Sequence, residues 1–221
     1  MDLEAQHTER DRTPEPSPGE DSEERSRSVR STRLTRHVPG GRITVVAVLC
    51  IGLVLLLGRF VLQPFAIPSS SMEPGIRPGD RVLVNKMAYG FGSVPQRGDV
   101  VVFDGTGYFG AGDYVKRVAG TGGDHIVCCD SQGRIEVNGR PQNEQQHLHP
   151  GDAPSTVRFD VRVPPDRLFV LGDHRSNSRD SRDLLGAPGG GMVPVDAVIG
   201  RARWIAWPVS RWGALPGGGH G

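Results

Sequence analysis

The longest apolar run in the chain is "ITVVAVLCIGLVLLLGRFV", Ile43 to Val61, uncharged as far as Gly58 and broken by Arg59. A membrane span needs about 20 apolar residues, and long Arg side chains near a helix end reach the interface. The pattern therefore predicts a transmembrane helix over residues 43–63. A cleaved secretory leader fits less well, because the run begins far from the start and no small-x-small site follows it. After this run the period changes to two. "RVLVN" alternates over Arg81–Asn85, "VVVF" is a short apolar run over Val100–Phe103, and "YVKRVAG" starts at Tyr114. "DHIVCCDSQGRIEVNG" reads as a hairpin turning at Asp130–Gly133. "TVRFDVRVP" puts Val157, Phe159, Val161 and Val163 on one face, and "RLFVLGD" and "AVIGRARWIAW" complete the set. Gly and Pro punctuate the gaps, and no amphipathic helix is readable. The pattern predicts an all-β ectodomain of antiparallel strands behind a single N-terminal transmembrane helix.

Charge changes the picture on one side only. The chain has 221 residues and a net charge of +1. Residues 1–24 are acidic and Pro-containing, and Arg25 to Arg42 carries Arg without any acid. Such segments bury too little apolar surface to offset their ordering entropy, so residues 1–42 are expected to be a disordered tail. The basic block suits nucleic acid by composition, but it abuts the apolar run. There it orients a span, N-terminus cytoplasmic and bulk outside. The expectation is a single-pass plasma-membrane protein in contact with lipid, with no nucleic-acid partner. Its catalytic-size β-domain covers residues 64–212, with a flexible end at 213–221.

Cysteine and histidine add little. Cys50 falls in the span. Cys128 and Cys129 are adjacent, and side chains next to each other on a strand face opposite ways, which disfavours a vicinal disulfide without a bulge. His147 and His149 share a face in a polar loop, short of the ligands a metal needs. Neither a metal nor a cofactor is expected.

The chemistry concentrates in Ile67–Asp80, "IPSSSMEPGIRPGD". A serine nucleophile needs a base. No G-x-S-x-G elbow is present. His174, in "LGDHRSNSRDSR", is one candidate base. Lysine is the other. Of 26 Lys and Arg only Lys86 and Lys116 are lysine. A lysine kept between Val115 and Val118 in so Arg-rich a chain points to a need to lose a proton, which Arg cannot meet. Apolar burial would lower its pKa by roughly 2–3 units from about 10.4. Alternation would set Lys116 on one face with Tyr114 and Val118 and turn Arg117 to the other. A lysine lying along a strand with its head in water remains the plain alternative.

Four ordered motifs over about Pro64 to Trp212 resemble the bacterial type I signal peptidases, membrane-anchored Ser-Lys endopeptidases. They are "PSSSMEPGIRPGDRVLVNKMAYG", "RGDVVVF", "DYVKRVAGTGGD" and "LGDHRSNSRDSR". The Arg, Gly and Pro content is similar to that of actinobacterial members. The resemblance implies a signal-peptidase/LexA-like β-fold and cleavage of signal peptides from exported preproteins after an Ala-x-Ala-like site, by a monomer. It implies Ser71 as nucleophile and Lys116 as general base. The oxyanion hole would be the Ser69 hydroxyl and the Ser71 N–H, with Ser70 a spacer. Ser178 would bond the lysine amine, and Asp180 would pair with Arg182 and Arg117. Substrate pockets would be shaped by Phe65, Ile67, Pro68, Met72, Ile76, Val82, Val102, Tyr114 and Val115. The loop departs from G-D-N by having His174, which leaves a Ser71–His174 dyad as an alternative. The accessory β-domain of some members would shrink to a hairpin and a loop at about residues 124–162. A LexA-type self-cleaving protein and a non-enzymatic anchored β-domain are the rival readings. The Ser71–Lys116 pair separates both enzyme readings from the second rival, and the span separates the first.

Overall fold

The computed structural model describes residues 40–90 and 92–215. Of the expected tails, residues 1–39 and 216–221 lie outside the described residues. The chain divides at Ile43 into two units, and the account below concerns the second, Thr44–Gly221.

The apolar run is helical as α1, Gly40–Val61, 22 residues long. Residues 40–42, expected in the tail, belong to this helix. Residues 62 and 63, expected in the span, already belong to strand β1 (Leu62–Ala66). Among the described residues no helix is long and apolar enough to cross a membrane.

Among the described residues, everything after α1 is strand, turn, short 3-10 turn or irregular loop. β2 is Arg81–Asn85, β3 Val100–Asp104, β4 Asp113–Thr121, β5 His125–Cys128 and β6 Ile135–Val137. β7 is Arg140–Pro141, β8 Phe159–Arg162, β9 Arg167–Leu171, β10 Val193–Pro194, β11 Val198–Trp207 and β12 Gly213–Ala214. An eight-stranded antiparallel sheet runs β1-β2-β11-β3-β4-β9-β10, with β12 also on β11. β12 corrects the expected frayed end: Gly213 and Ala214 pair with Ile205 and Trp204. β5 to β8 form a separate four-stranded sheet in the order β7-β6-β5-β8. The expected accessory hairpin is there as β5–β6, but β7 and β8 extend it on both edges. Phe159 and Val163 are buried as the alternation required, whereas Val157 is exposed because the strand begins only at Phe159.

β3 shows why a continuous apolar run marks a central strand. It lies between β11 and β4, and all of Val100 to Phe103 is buried. Val100 and Val102 pack with Ile67, Met72, Ile76, Val82 and Val84 on one face. Val101 and Phe103 pack with Val118, Leu168 and Val170 on the other. Phe169 and Leu171 of β9 join Ile126, Ile135 and Phe159 in a third cluster, which seats the small sheet on the large one. Fully burying such a side chain contributes roughly 1.5–3 kcal/mol.

Cys128 and Cys129 are joined by a disulfide, against the expectation from strand alternation. β5 ends at Cys128, so Cys129 lies beyond the strand and the alternation rule does not govern the pair.

Candidate active site

The serine-rich stretch is the connection of the β1–β2 hairpin. Ala66 pairs with Arg81, so residues 67–80 leave and re-enter at one point. The neck is closed by Ile67 N–H to Asp80 O (2.9 Å) and Gly79 N–H to Ile67 O (2.8 Å). Asp80 is buried and accepts from Arg77 N–H and from Arg211. Ile67, Met72 and Ile76 sink into the core. A loop with its apolar residues buried and its neck bonded holds the serines between them in one place.

Lys116 meets this loop because of where β9 stops. Leu171, its last residue, pairs with Arg117. From Lys116 back to Asp113, β4 has β3 on one side and no strand of the described residues on the other. Ser71 comes to the Lys116 side chain just beyond the point where β9 stops. Lys116 Nζ lies 2.7 Å from Ser71 Oγ. The two residues are 3% and 7% exposed, so the contact is shielded from water. Burial lowers the Lys116 pKa from 10.5 to about 8, against the opposing pull of the Asp180 and Asp173 carboxylates. Ser69 Oγ lies 3.3 Å from Ser71 Oγ; a bend at Ser70 and the turn that starts at Ser71 bring the two hydroxyls together, not strand alternation. Among the described residues, no backbone carbonyl takes up the Ser71 N–H.

The loop after β9 closes the site. Gly172 is forced by space: a Cβ there would lie 2.6 Å from Ser71 O and collide with the Ser178 side chain. Asp180 is buried and accepts from Gly172 N–H (3.0 Å) and from Arg182 Nε and Nη2 (both 2.8 Å). Burial opposes its charge, but these bonds outweigh that and hold its carboxyl below the usual range. The expected Arg182 brace is therefore present. Arg117, expected beside Asp180, forks onto Asp173 (2.8 and 2.7 Å). Its register opposite Leu171 puts it beside the start of the loop. Ser178 does not bond the lysine amine; its buried hydroxyl lies by the Asp180 carboxylate and helps to hold that carboxyl low.

Of the expected pocket residues, Phe65, Ile67, Met72, Ile76, Val82, Val102 and Val115 gather in one cluster, and Pro68 is exposed at its edge. Tyr114 is not among them. It stacks on Phe103 in the opposite cluster and donates to Phe109 O, as its place on the Lys116 face dictates. His174 does not reach Ser71 through its ring. Its backbone N–H donates to Ser71 O (3.1 Å), while the ring stacks on His149. The "HLH" histidines part company: His147 lies toward Glu144, and burial lowers its pKa to about 4.

Sequence reasoning missed two supports. Ser70 is more than a spacer, since Asn177 Nδ2 donates to its Oγ (2.7 Å) and ties the two loops. Arg175 is buried on Glu144 and Pro154 O. The high polar content of residues 172–183 was the available signal for both.

Residues 40–207 match the family described as signal peptidase, peptidase S26. Signal peptidase I of Mycobacterium tuberculosis is 37% identical over 223 residues, covering 77% of this chain and 74% of that one. Signal peptidase I of Pseudomonas aeruginosa is 35% identical over 213 residues, covering 74% and 72%. A crystal structure of a signal peptidase I from Enterococcus faecalis V583 aligns with a TM-score of 0.38 and 24% identity, over 48% of this chain and 95% of that one. The chain belongs to the peptidase S26 family, among the bacterial type I signal peptidases. It is a serine endopeptidase.

Proposed function

We propose that this enzyme removes signal peptides from exported preproteins at the outer face of the plasma membrane, cutting after an Ala-x-Ala-like site, with Ser71 as nucleophile and Lys116 as general base. The observation that carries this is the buried 2.7 Å contact between Lys116 Nζ and Ser71 Oγ. While the amine is protonated it donates. Once it has lost its proton the contact reverses, and the Ser71 O–H donates to Nζ. Oγ then attacks the scissile carbonyl carbon, its proton passes to Nζ, and the carbonyl electron pair moves onto oxygen. The Ser71 N–H and the Ser69 hydroxyl receive that oxyanion. Collapse breaks the C–N bond, and the Lys116 ammonium protonates the leaving amine. Water then attacks the ester, again giving its proton to Nζ, and as the C–Oγ bond breaks the Lys116 ammonium returns that proton to Ser71 Oγ.

Substrate binding follows from the open edge of β4. An extended peptide can add its backbone along residues 113–116, as strands add to unpaired edges. Phe65, Ile67, Pro68, Met72 and Val115 would flank its side chains, with Ile76, Val82 and Val102 buried behind. Such an apolar floor favours Ala, Ser or Gly one and three residues before the cut. Tyr114 has no part in this reading. Ser178, Asp180, Arg182 and Arg117 hold the loop that backs the dyad.

α1 would anchor the monomeric enzyme, N-terminus cytoplasmic. Its support is a 22-residue apolar helix whose Ile43, Val46, Leu49 and Val54 side chains are exposed. Trp204, Trp207 and Trp212 are also exposed, and aromatic side chains favour the membrane interface.

The test is cleavage by the full chain, purified in detergent, of a preprotein with an Ala-x-Ala site. One cut after the second Ala is expected, with loss of activity in Ser71→Ala. Cleavage that survives Ser71→Ala, or a cut elsewhere, would refute the assignment. Protease added to intact protoplasts should digest the β-domain and spare the N-terminal tail; the opposite pattern would refute the orientation.

A further inference from the structure

Three side chains from distant parts of the sequence converge beside the nucleophile loop without a role in the dyad. Glu73 comes from the β1–β2 connection, His149 from the segment between β7 and β8, and His174 from the loop after β9. One ligand atom of each lies within 4.8 Å of the other two. The imidazoles are stacked at 3.8 Å and 7°. Nδ1 of both rings is buried with no hydrogen-bond partner. The nearest charge to His174 Nδ1 is Glu73 Oε2 at 3.6 Å, too far for a hydrogen bond. Buried ring nitrogens without partners are uncommon, and each such group invites an explanation such as a missing ion.

We infer that Glu73, His149 and His174 form a site for one divalent transition-metal ion of the zinc class, set against the loop that carries Ser71. Two imidazoles and a carboxylate suit zinc, and three protein ligands leave a fourth position open. The backbone already fixes the carriers: His174 N–H is bonded to Ser71 O and His149 N–H to Asp173 O (2.9 Å). Asp152 lies near both rings and adds negative charge outside the ligand set. Zn–N bonds are about 2.0–2.1 Å, so two nitrogens on one ion stand roughly 3 Å apart with converging lone pairs. Parallel rings cannot offer that. Binding must turn at least one imidazole out of the stack, and the half-buried His174 and Glu73 side chains have room at the surface to do so. The plain alternative is a histidine stack held by Glu73 as a counter-charge. It predicts no ion.

The experiment uses the full chain in detergent with a histidine-free tag, stripped with chelator and titrated with Zn²⁺ alone against a chromophoric competitor. One ion per chain is expected. His174→Asn, His149→Gln and Glu73→Gln should each weaken binding by at least about tenfold, the effect of disturbing even the supporting residues of a metal site. His147→Gln and His125→Asn should leave it unchanged. Co²⁺ should give ligand-field bands that His174→Asn abolishes. An ion that binds only the folded chain also raises its unfolding midpoint. Zn²⁺ should therefore stabilise the wild type and not His174→Asn, whose metal-free midpoint serves as the folding control. If that variant fails the control, His149→Gln and Glu73→Gln decide. No binding at micromolar Zn²⁺, or stoichiometric binding that survives the three ligand substitutions, would overturn the inference.

Discussion

Replacing Lys116 by Met should inactivate the enzyme and stabilise its fold. The side chain is 3% exposed, and burial takes its pKa from 10.5 to about 8. A depressed lysine pKa means that the folded state resists the charge the unfolded chain accepts freely. The difference corresponds to about 3 kcal/mol at 1.36 kcal/mol per pKa unit. The sign follows from proton binding. Between pH 8 and 10.5 the unfolded chain holds the proton and the folded chain does not, so stability rises with pH across that window. Below pH 8 the whole penalty is present. Met keeps most of the stem and removes the ammonium. At pH 7, Lys116→Met should therefore be more stable than wild type by up to about 3 kcal/mol, and by pH 10.5 the advantage should shrink to a small fraction of that. The assay is urea unfolding by circular dichroism in detergent, both proteins side by side, so that pH effects common to both cancel. A variant less stable than wild type, or an advantage independent of pH, would refute the reasoning. The same pKa should make wild-type kcat/KM rise about fivefold from pH 7 to 8, as the neutral fraction of the free enzyme grows from about 9% to about 50%.

Ser69→Ala should lower kcat by roughly 10²–10³ with little change in KM, the loss expected of one oxyanion donor, and Ser69→Thr should recover much of it in a peptide-cleavage assay. Unchanged kcat in Ser69→Ala would show that the oxyanion is held elsewhere. Gly172→Ala should cost at least about tenfold in kcat/KM, because its Cβ would press on Ser71 O and Ser178 and push the nucleophile off Lys116. A neutral effect would mean that the loop after β9 can move away freely. Asp180→Asn should shift the pH–rate profile to lower pH, because it removes a negative charge that raises the Lys116 pKa while leaving Arg182 in place. A purely structural role would lower the rate and leave the profile where it was.

How much could be read before the structure depended on the range of the interaction. The β2 strand at Arg81–Asn85, the apolar run of β3 and the hairpin turn at Asp130–Gly133 follow from local period and turn residues, whereas β1 was hidden inside the apolar run that precedes it. Lys116 was legible for a different reason: it is a rare lysine in an apolar strand. Four features were not legible. Tyr114 turned away from the pocket because its face of β4 meets Phe103 and Phe109, which depends on how the strands stack. Arg117 went to Asp173 because β9 pairs with β4 in a register that alternation within β4 cannot reveal. The β7 and β8 edges of the small sheet are short strands whose partners are far away in sequence, and β7 carries a proline. The Glu73–His149–His174 cluster was hidden for the same reason, since its residues come from three separate loops.

If Lys116 is the base, as proposed, the charges around it show how its amine can lose a proton with two aspartates beside it. Asp180 and Asp173 each favour the ammonium, and Arg182 opposes it. Left alone, the carboxylates would restore the lysine to its ordinary range and remove the base. Each is instead committed to a guanidinium, Asp180 to Arg182 and Asp173 to Arg117, by buried, two-point hydrogen bonds. Such a pair presents little net charge to a neighbour, because the field of one member nearly cancels that of the other at a distance. What remains is the geometry: Asp180 fixes Gly172, and Asp173 accepts the His149 N–H next to the Ser71–His174 backbone bond. Arg serves here because it never deprotonates, so these pairs hold at the alkaline pH where Lys116 becomes a base. The division of labour is chemical. Arg supplies the permanent charges that build the loop, and lysine is used where a proton has to leave.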